Sequence, residues 1–430
     1  MSDIYSRNIL DVLKKWIDRR EIFAIKGPRQ AGKTTLMYLL VSYLKGRGVP
    51  EKNIVFLECD DFDVLEPFSK DFKTFVKSHI KGKEKHYFFL DEYQYIPDGG
   101  RILKILYDSF PNIKFIISGS SSLELASKTG KYLVGRVFYF TLYPFSFGEF
   151  VNAKDERLGK IYNERNRAVH NYMLKGGKFP AKDIFIRDLS KLFEEYIIFG
   201  GYPEVIKSND LETKKTVLKN IYDTYITKDI VELLKISDTI TFRNIVNILA
   251  SQHSGLLNYD SIASDSKSYY RELKHFLSVL EETYVIKLLA PFHKNFSTEL
   301  KKNPKSYFTD TGLRNYIIKN FNSIPFREDK GKLAEGVVLR ELITLLEGEA
   351  EIKYWRTLGK AEVDFVVQFG STILPVEVKY ENFTKPKLGR SLTNFIHVYK
   401  PKRAVIITKD YLGRTKLNNT QIQFIPICYL

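Results

Sequence analysis

Gly27, Pro28, Arg29, Gln30, Ala31, Gly32, Lys33 and Thr34 follow the spacing G-x-x-x-x-G-K-[ST], between an apolar run and a stretch rich in Leu and Met. A strand, a glycine-rich turn and a helix in that order make a cradle for phosphate. The glycines let successive N–H groups converge on phosphate oxygens, and the helix adds its positive end. In such a cradle Lys33 reaches the β and γ phosphates, the Thr34 hydroxyl is a ligand of Mg2+, and Thr35 completes the binding set. The implied ligands are ATP and ADP.

A second apolar run, residues 86–91, ends in Asp91 and Glu92. At a strand tip the first carboxylate can hold the magnesium hydration shell, and the second can orient or deprotonate the attacking water. Residues 113–118, IKFIIS, read as another buried strand with a polar tip. In ATPases that place a strand between the one carrying the loop and the one carrying the acidic pair, this tip touches the γ-phosphate or the water. Ser118 is the first candidate and Ser120 the second; either could instead cap a helix beginning near residue 121. Arg136 reads equally as a finger that neutralises charge on the transferring phosphoryl group and as a solvated cation. A finger works most simply across a subunit boundary, which brings a homo-oligomer among the expectations.

The carboxyl end holds another constellation. Glu335 lies in an amphipathic helix (residues 333–346), Asp364 in a strand (361–367), and Glu377 with Lys379 in the next strand (372–380). Glu377 and Lys379 are two residues apart, so the pleat turns both to one face. This is the layout of the PD-(D/E)XK nuclease fold, with Val363 where the pattern has proline. Asp364 and Glu377 would share a second divalent cation, Mg2+ or Mn2+. Glu335 would help directly or through water, and Lys379 would steer or activate the hydrolytic water. Two other readings stay open: a chance Glu-x-Lys on a strand, and a nuclease-like fold kept for binding without hydrolysis.

These residues need a scaffold larger than one core. At 430 residues the chain suggests two to four domains, and 44% hydrophobic with 14% aromatic content is ample for globular folding. Between the two constellations, residues 242–250, 259–264 and 268–282 carry helical patterns. Two strand candidates follow, residues 284–290 and 306–308, separated by a basic loop with His293, Lys301 and Lys305. Three helices and a β-ribbon with a basic tip are the plan of a winged helix. In a DNA-reading use the third helix would turn Lys267, Tyr269, Arg271, Lys274 and His275 to the major groove. Winged helices also serve as protein contacts. Residues 152–191, rich in Lys, Arg and Asn, read as a basic surface insertion.

A formal charge of +16 points to a polyanion, nucleic acid before an acidic membrane, unless it reflects general lysine enrichment. Two cysteines, Cys59 and Cys428, allow neither a disulfide framework nor a zinc pattern and suit a reducing compartment. With no apolar run of bilayer length and no signal-peptide core at the start, the expectation is a soluble cytoplasmic protein with no membrane partner.

The strings GPRQAGKTT, LDEYQ, ISGSSS, Gly135-Arg136 and YPFSFGEF resemble the AAA-type domain of a large group of archaeal and bacterial P-loop ATPases. GGYPEV (residues 200–205) and YDTYITKDI (222–230) resemble that group's helical lid and connecting helix. The resemblance covers nearly the whole chain. It implies an α/β fold: a parallel αβα ATPase sheet, then an α-helical lid, a winged helix and a small α/β restriction-endonuclease-like domain. The corresponding division is 1–151 ATPase core, 152–236 basic insertion and lid, 237–325 winged helix, and 326–430 nuclease-like domain. Two functions stay open: a DNA-directed ATPase with a metal nuclease domain, and a nucleotide-driven switch or scaffold whose terminal domain is catalytically silent.

Overall fold

The computed structural model describes residues 5–119, 133–177, 179, 183–233, 236, 238–292 and 303–430. By contact the chain falls into two compact units, Met1–Pro144 with Glu282–Tyr284, and Phe145–Glu281 with Val285–Leu430.

The first unit is built on five strands, β1 (Ile22–Lys26), β2 (Ile54–Glu58), β3 (His86–Asp91), β4 (Ile113–Gly119) and β5 (Val137–Thr141). Their order is β2-β3-β4-β1-β5, and every pairing is parallel. Parallel strands covered on both faces read as unbroken apolar runs, and β3 and β4 are buried along their whole length. Alternate residues go to opposite layers. Phe23, Ile25, Phe89 and Ile116 pack with helices Ile9–Trp16 and Lys33–Gly46. Ala24, Phe88, Leu90 and Phe115 pack with helices Phe62–Lys70, Phe72–His79 and Gly99–Ser109. The result is an αβα sandwich in which β4 separates the loop strand β1 from the acidic strand β3.

The second unit begins with helices Phe147–Lys154, Glu156–Lys175 and Ile186–Phe199. The expected surface insertion is corrected here. Sparse apolar residues at helical spacing, Tyr162, Val169, Tyr172 and Met173, are buried, and Asn166 Nδ2 donates to the Tyr429 carbonyl at 3.1 Å. Composition hid a packed stripe among charges. The strings YPFSFGEF and GGYPEV supply joinery in this unit. The Phe145 N–H donates to the Gly201 carbonyl (2.7 Å), and the Gly201 N–H to Asp310 (2.7 Å). A Cβ on Gly201 would stand 2.2 Å from the Phe145 oxygen, so no larger residue fits.

Helices Thr239–Ser251, Tyr259–Ser266 and Tyr270–Glu282 follow, capped at the first two by Asp238 and Asn258. They share a core (Phe242, Ile245, Ile262, Leu273, Phe276, Leu280) with β7 (Ile286–Leu289) and β8 (Lys305–Phe308), and with β6 (Gly255–Leu256) these form an antiparallel sheet ordered β6-β8-β7. Of the expected basic tip, residues 293–302 lie outside the described residues. Lys305 is no tip residue: it is buried within β8.

The terminal sheet holds β9 (Glu351–Arg356), β10 (Glu362–Phe369), β11 (Thr372–Lys379), β12 (Arg403–Thr408), β13 (Gly413–Leu417) and β14 (Thr420–Pro426), ordered β13-β14-β12-β11-β10-β9. Strands β9, β10 and β11 are antiparallel, β11, β12 and β14 parallel. Helix Lys330–Leu345 precedes the sheet and helix Arg390–Tyr399 joins β11 to β12. Among the described residues no helix is long and apolar enough to cross a membrane.

Candidate functional site

The turn after β1 owes its path to backbone freedom. Gly27 has φ 155°, and a Cβ there would lie 2.0 Å from the Leu142 carbonyl oxygen. That close approach exists because the Leu142 N–H donates to the Lys26 carbonyl at 2.7 Å, tying the loop's root to the end of β5. Gln30 (φ 60°) and Gly32 (φ 92°) complete the turn in left-handed conformations, and helix Lys33–Gly46 starts at once. Pro28 and Ala31 are buried within the turn, while Arg29 and Gln30 face solvent. Thr34 is half-buried, and Thr35, one residue further, is exposed.

Lys33 is 4% exposed, and its Nζ folds back on the carbonyls of Gly27 (3.2 Å) and Pro28 (3.1 Å). Burial pulls its pKa down, and the neighbouring charges of Glu92 and Asp91 work against that pull. A cation held inside its own loop by neutral carbonyls is poised to exchange them for phosphate oxygens.

The parallel register brings the other candidates to the same edge. Ile25 pairs with Ser118, and Leu90 with Ile117, so the ends of β1, β4 and β3 lie side by side. Open α/β sheets bind ligands at this carboxyl edge. The Thr34 hydroxyl donates to Asp91 Oδ2 at 2.6 Å, and the Ser118 hydroxyl donates to Asp91 Oδ1. The Glu92 N–H donates to Ser118 Oγ at 3.0 Å. Glu92 itself sits at φ 50°, and its carboxylate accepts from the Gln94 amide. Thr34 and Asp91 thus present two hard oxygens, a donor set suited to a divalent cation.

The geometry also places two further candidates. Ser118 is fully buried, and its hydroxyl donates to Asp91 and accepts from the Glu92 N–H, a position suited to orienting that carboxylate. Arg136 is not brought to the loop. It precedes β5, whose Val137 pairs with Ile22 at the amino end of β1, whereas Gly27 follows the carboxyl end. The six-residue offset is roughly 20 Å along the strands. There Arg136 pairs with Asp108 (Nε to Oδ1, 3.3 Å). Within one chain it touches no part of the phosphate loop. Ser120 lies outside the described residues.

Sequence reading missed Arg7. Its guanidinium, 5% exposed, donates to the Ala31 carbonyl (2.8 Å) and the Tyr143 carbonyl (2.6 Å), clamping the far side of the loop. It missed Gln94 as well, whose amide meets the Glu92 carboxylate two residues away across the turn that Glu92 opens at φ 50°.

The carboxyl-terminal constellation is assembled differently from the expectation. Asp364, half-buried in β10, accepts from the Val378 N–H at 2.7 Å. Burial above all, then the charge of Glu335, pushes its pKa well above the usual carboxylate range. Lys379 Nζ pairs with Glu377 Oε1 at 2.9 Å, and Glu377 Oε2 is buried without a hydrogen-bond partner. Glu335, however, is already engaged: its Oε1 accepts from Lys305 Nζ (2.8 Å) and the Tyr307 hydroxyl (2.5 Å). Among the described residues no group of three or more His, Cys, Asp or Glu is placed to hold a metal ion. The expected cation shared by Glu335, Asp364 and Glu377, with Lys379 on the water, is corrected: as they stand these residues do not fit one, because an ammonium group takes the oxygen it would need.

On helix Tyr270–Glu282 the apolar stripe Leu273, Phe276, Leu277 and Leu280 faces inward. Lys267, Tyr269, Arg271, Lys274 and His275 are all exposed, Tyr269 by 84%.

Residues 19–151 match the model of an AAA domain, residues 190–323 that of a domain of unknown function (DUF8612), and residues 330–430 that of another (DUF4143). The chain is similar to uncharacterized proteins of Haemophilus influenzae (25% identical, 98% of this chain and 97% of the relative), Methanocaldococcus jannaschii (25%, 84% and 75%) and Mycobacterium tuberculosis (24%, 92% and 78%). Among solved structures, the ORC1 protein of Aeropyrum pernix in complex with DNA matches with TM-score 0.31 at 11% identity over 74% of this chain and 94% of that one. The ORC2 protein of the same organism in its ADP form matches with TM-score 0.33 at 12% identity, over 75% and 96%. Sheet order, loop and domain match agree: the first unit is a P-loop ATPase domain of the AAA type.

Proposed function

We propose that this chain binds and hydrolyses ATP with Mg2+ and applies the resulting motion to DNA. The observation that carries the reading is the hydrogen-bonded chain Thr34–Asp91–Ser118 beside a buried Lys33 at the carboxyl edge of the sheet. Mg2+ would supply charge neutralisation between the β and γ phosphates, and Thr34 with Asp91 would hold it. Lys33 leaves the Gly27 and Pro28 carbonyls for the γ-phosphate oxygens. Ser118 fixes the rotamer of Asp91. Glu92 receives the proton of the attacking water, its carboxylate oriented by Gln94. Arg136 serves a site only if a neighbouring chain presents one.

The DNA half of the proposal is supported by the order helix, strand, helix, helix, strand, strand over residues 239–308, which is the winged-helix plan. The basic, exposed face of helix Tyr270–Glu282 supports it further. Lys and Arg there would bind the phosphate backbone with strong salt dependence. For residues 330–430 the order helix, three antiparallel strands, helix, parallel strand supports a nuclease-like fold. Because Glu335 is spent on Lys305, we favour a domain that grips DNA without cutting it.

ATP hydrolysis measured with and without supercoiled, branched and single-stranded DNA tests the whole. Mg2+-dependent turnover should vanish in Lys33→Ala and rise with at least one DNA form. Absence of turnover refutes the ATPase reading; turnover with no stimulation and no DNA binding at low salt refutes the DNA reading. DNA cleavage with Mg2+ or Mn2+ that is lost in Asp364→Ala refutes the silent terminal domain.

A further inference from the structure

The carboxylate cluster of the second unit contains a cation that belongs to a different sheet. Lys305 lies in β8, which pairs with β6 and β7 and not with any strand of the terminal sheet. Its side chain, 3% exposed, carries Nζ to 2.8 Å from Glu335 Oε1 and 2.5 Å from Glu362 Oε1. Tyr307, two residues along the same strand and so on the same face, donates its hydroxyl to the same Glu335 oxygen. Glu362 and Asp364 are likewise two apart on β10. One ammonium group therefore sits among carboxylates contributed by helix Lys330–Leu345 and by β10.

We infer that Lys305 is a resident substitute for a divalent cation, so that the cluster Glu335–Asp364–Glu377 is a latent metal site which β8 keeps closed.

Three observations carry this. Lys305 supplies charge where hard oxygens converge, satisfying Glu335 and Glu362 together, as a bound cation would. Glu377 is 3% exposed, its Oε2 has no hydrogen-bond partner, and its charge bears on Asp364. The blocking group comes from outside the terminal sheet, from the central strand of the sheet ordered β6-β8-β7. An ammonium donates three hydrogen bonds but leaves no coordination position, whereas Mg2+ or Mn2+ takes oxygens at fixed geometry. The two occupants exclude each other. The inference rests on the nuclease-like reading of the terminal domain and on nothing concerning ATP.

The test is Mn2+ uptake by the full chain without nucleotide or DNA, followed by electron paramagnetic resonance of the free ion. Lys305→Met, nearly isosteric and neutral, should bind one Mn2+ more than wild type, with at least tenfold higher affinity at that position. Adding Glu377→Gln to Lys305→Met should abolish the gain. Circular dichroism checks folding; should Lys305→Met fail to fold, Lys305→Met with Glu362→Gln removes one charge of each sign and answers the same question. A wild-type chain that binds an ion which Glu377→Gln removes overturns the inference. So does a folded variant that gains none. Because the assay excludes nucleotide and DNA, either failure leaves the ATPase reading standing, and loss of DNA-stimulated hydrolysis leaves this inference standing.

Discussion

Ser118→Ala separates two roles that a serine at the tip of β4 could have. The hydroxyl donates to Asp91 Oδ1 and accepts from the Glu92 N–H at 3.0 Å, in a position with no solvent access. Alanine lacks only the hydroxyl oxygen, so no sizeable cavity forms, but the change strips one hydrogen bond from a carboxylate and leaves a backbone N–H without its acceptor. A hydrogen bond to a charged group contributes roughly 1.5–3 kcal/mol. Part of that is recovered because Asp91 keeps its bond to Thr34, so about 1.5–2.5 kcal/mol is the working figure. If Ser118 orients Asp91 and the backbone of Glu92 for the chemical step, the loss falls on the transition state. The expectation is kcat lower by about 10–70-fold with KM nearly unchanged. The assay is steady-state ATP hydrolysis under saturating Mg2+, with nucleotide affinity measured separately by displacement of a fluorescent ADP analogue. A variant whose kcat is intact while ATP binding weakens would mean that Ser118 contacts the nucleotide, and the positioning argument would fall.

Other outcomes follow from the same contacts. Gly27→Ala drives a Cβ to 2.0 Å from the Leu142 oxygen at φ 155°, so nucleotide binding should be lost and the melting temperature of the variant should drop by several degrees. Arg7→Ala breaks the clamp on the Ala31 and Tyr143 carbonyls; ADP affinity should fall about tenfold by isothermal titration while Lys33 and Thr34 remain intact. Glu341, buried where it accepts from the Phe147 N–H at 2.9 Å, has its pKa raised by burial to about 7, against 4.5. A carboxyl that stays protonated in the folded state but ionises when unfolded loses stability as pH rises from about 4.5 to about 7, up to about 3 kcal/mol. Glu341→Gln should flatten that slope in urea unfolding at pH 5 and pH 8. Lys274→Ala should weaken DNA binding for all sequences alike and lower the salt slope by about 1, read from filter binding at several salt concentrations.

What the sequence made legible follows the range of the interactions involved. The loop of residues 27–34 was legible because eight contiguous residues carry its whole geometry, and Asp91-Glu92 because a strand tip is a local pattern. Ser118 was found by type and place, but its duty depends on the register that sets Ile25 against it and brings Asp91 alongside. Arg7 acts on residues 24 and 136 positions away, beyond any local pattern. Arg136 could have been placed better: in a parallel sheet a residue preceding a strand lies at the edge opposite the phosphate loop. The hairpin of β13 and β14 also had a signal, Asn418-Asn419 between two alternating runs, with Asn418 at φ 51°. Lys305 looked like a wing-tip cation because its neighbours in sequence are basic; its partners Glu335 and Glu362 are 30 and 57 residues on, and only the fold brings them together.

The distinctive strings of this chain and its chemical ones are different strings. YPFSFGEF and GGYPEV set the likeness apart from other ATPases, yet in the second unit their residues answer steric demands. Ser146 and Glu149 close a capping box, Tyr196 donates to the Phe145 carbonyl at 2.8 Å, and Gly201 admits a backbone that a Cβ would block. Gly200, at φ 76°, would bring a Cβ within 2.2 Å of Asp310, and Asp310 in turn accepts the Gly201 N–H and caps helix Thr311–Ile317. Such residues are held by packing, so they track the architecture of this unit whatever it acts upon. The residues proposed to touch nucleotide, Lys33, Thr34, Asp91 and Glu92, follow a pattern common to many ATPases and so would carry the reaction but not the target. The target would be read from the exposed face of Lys267, Tyr269, Arg271, Lys274 and His275, where Lys274 has ring partners, Tyr259 and Tyr270, in its own unit. Substituting that face should change what stimulates hydrolysis without changing the unstimulated rate.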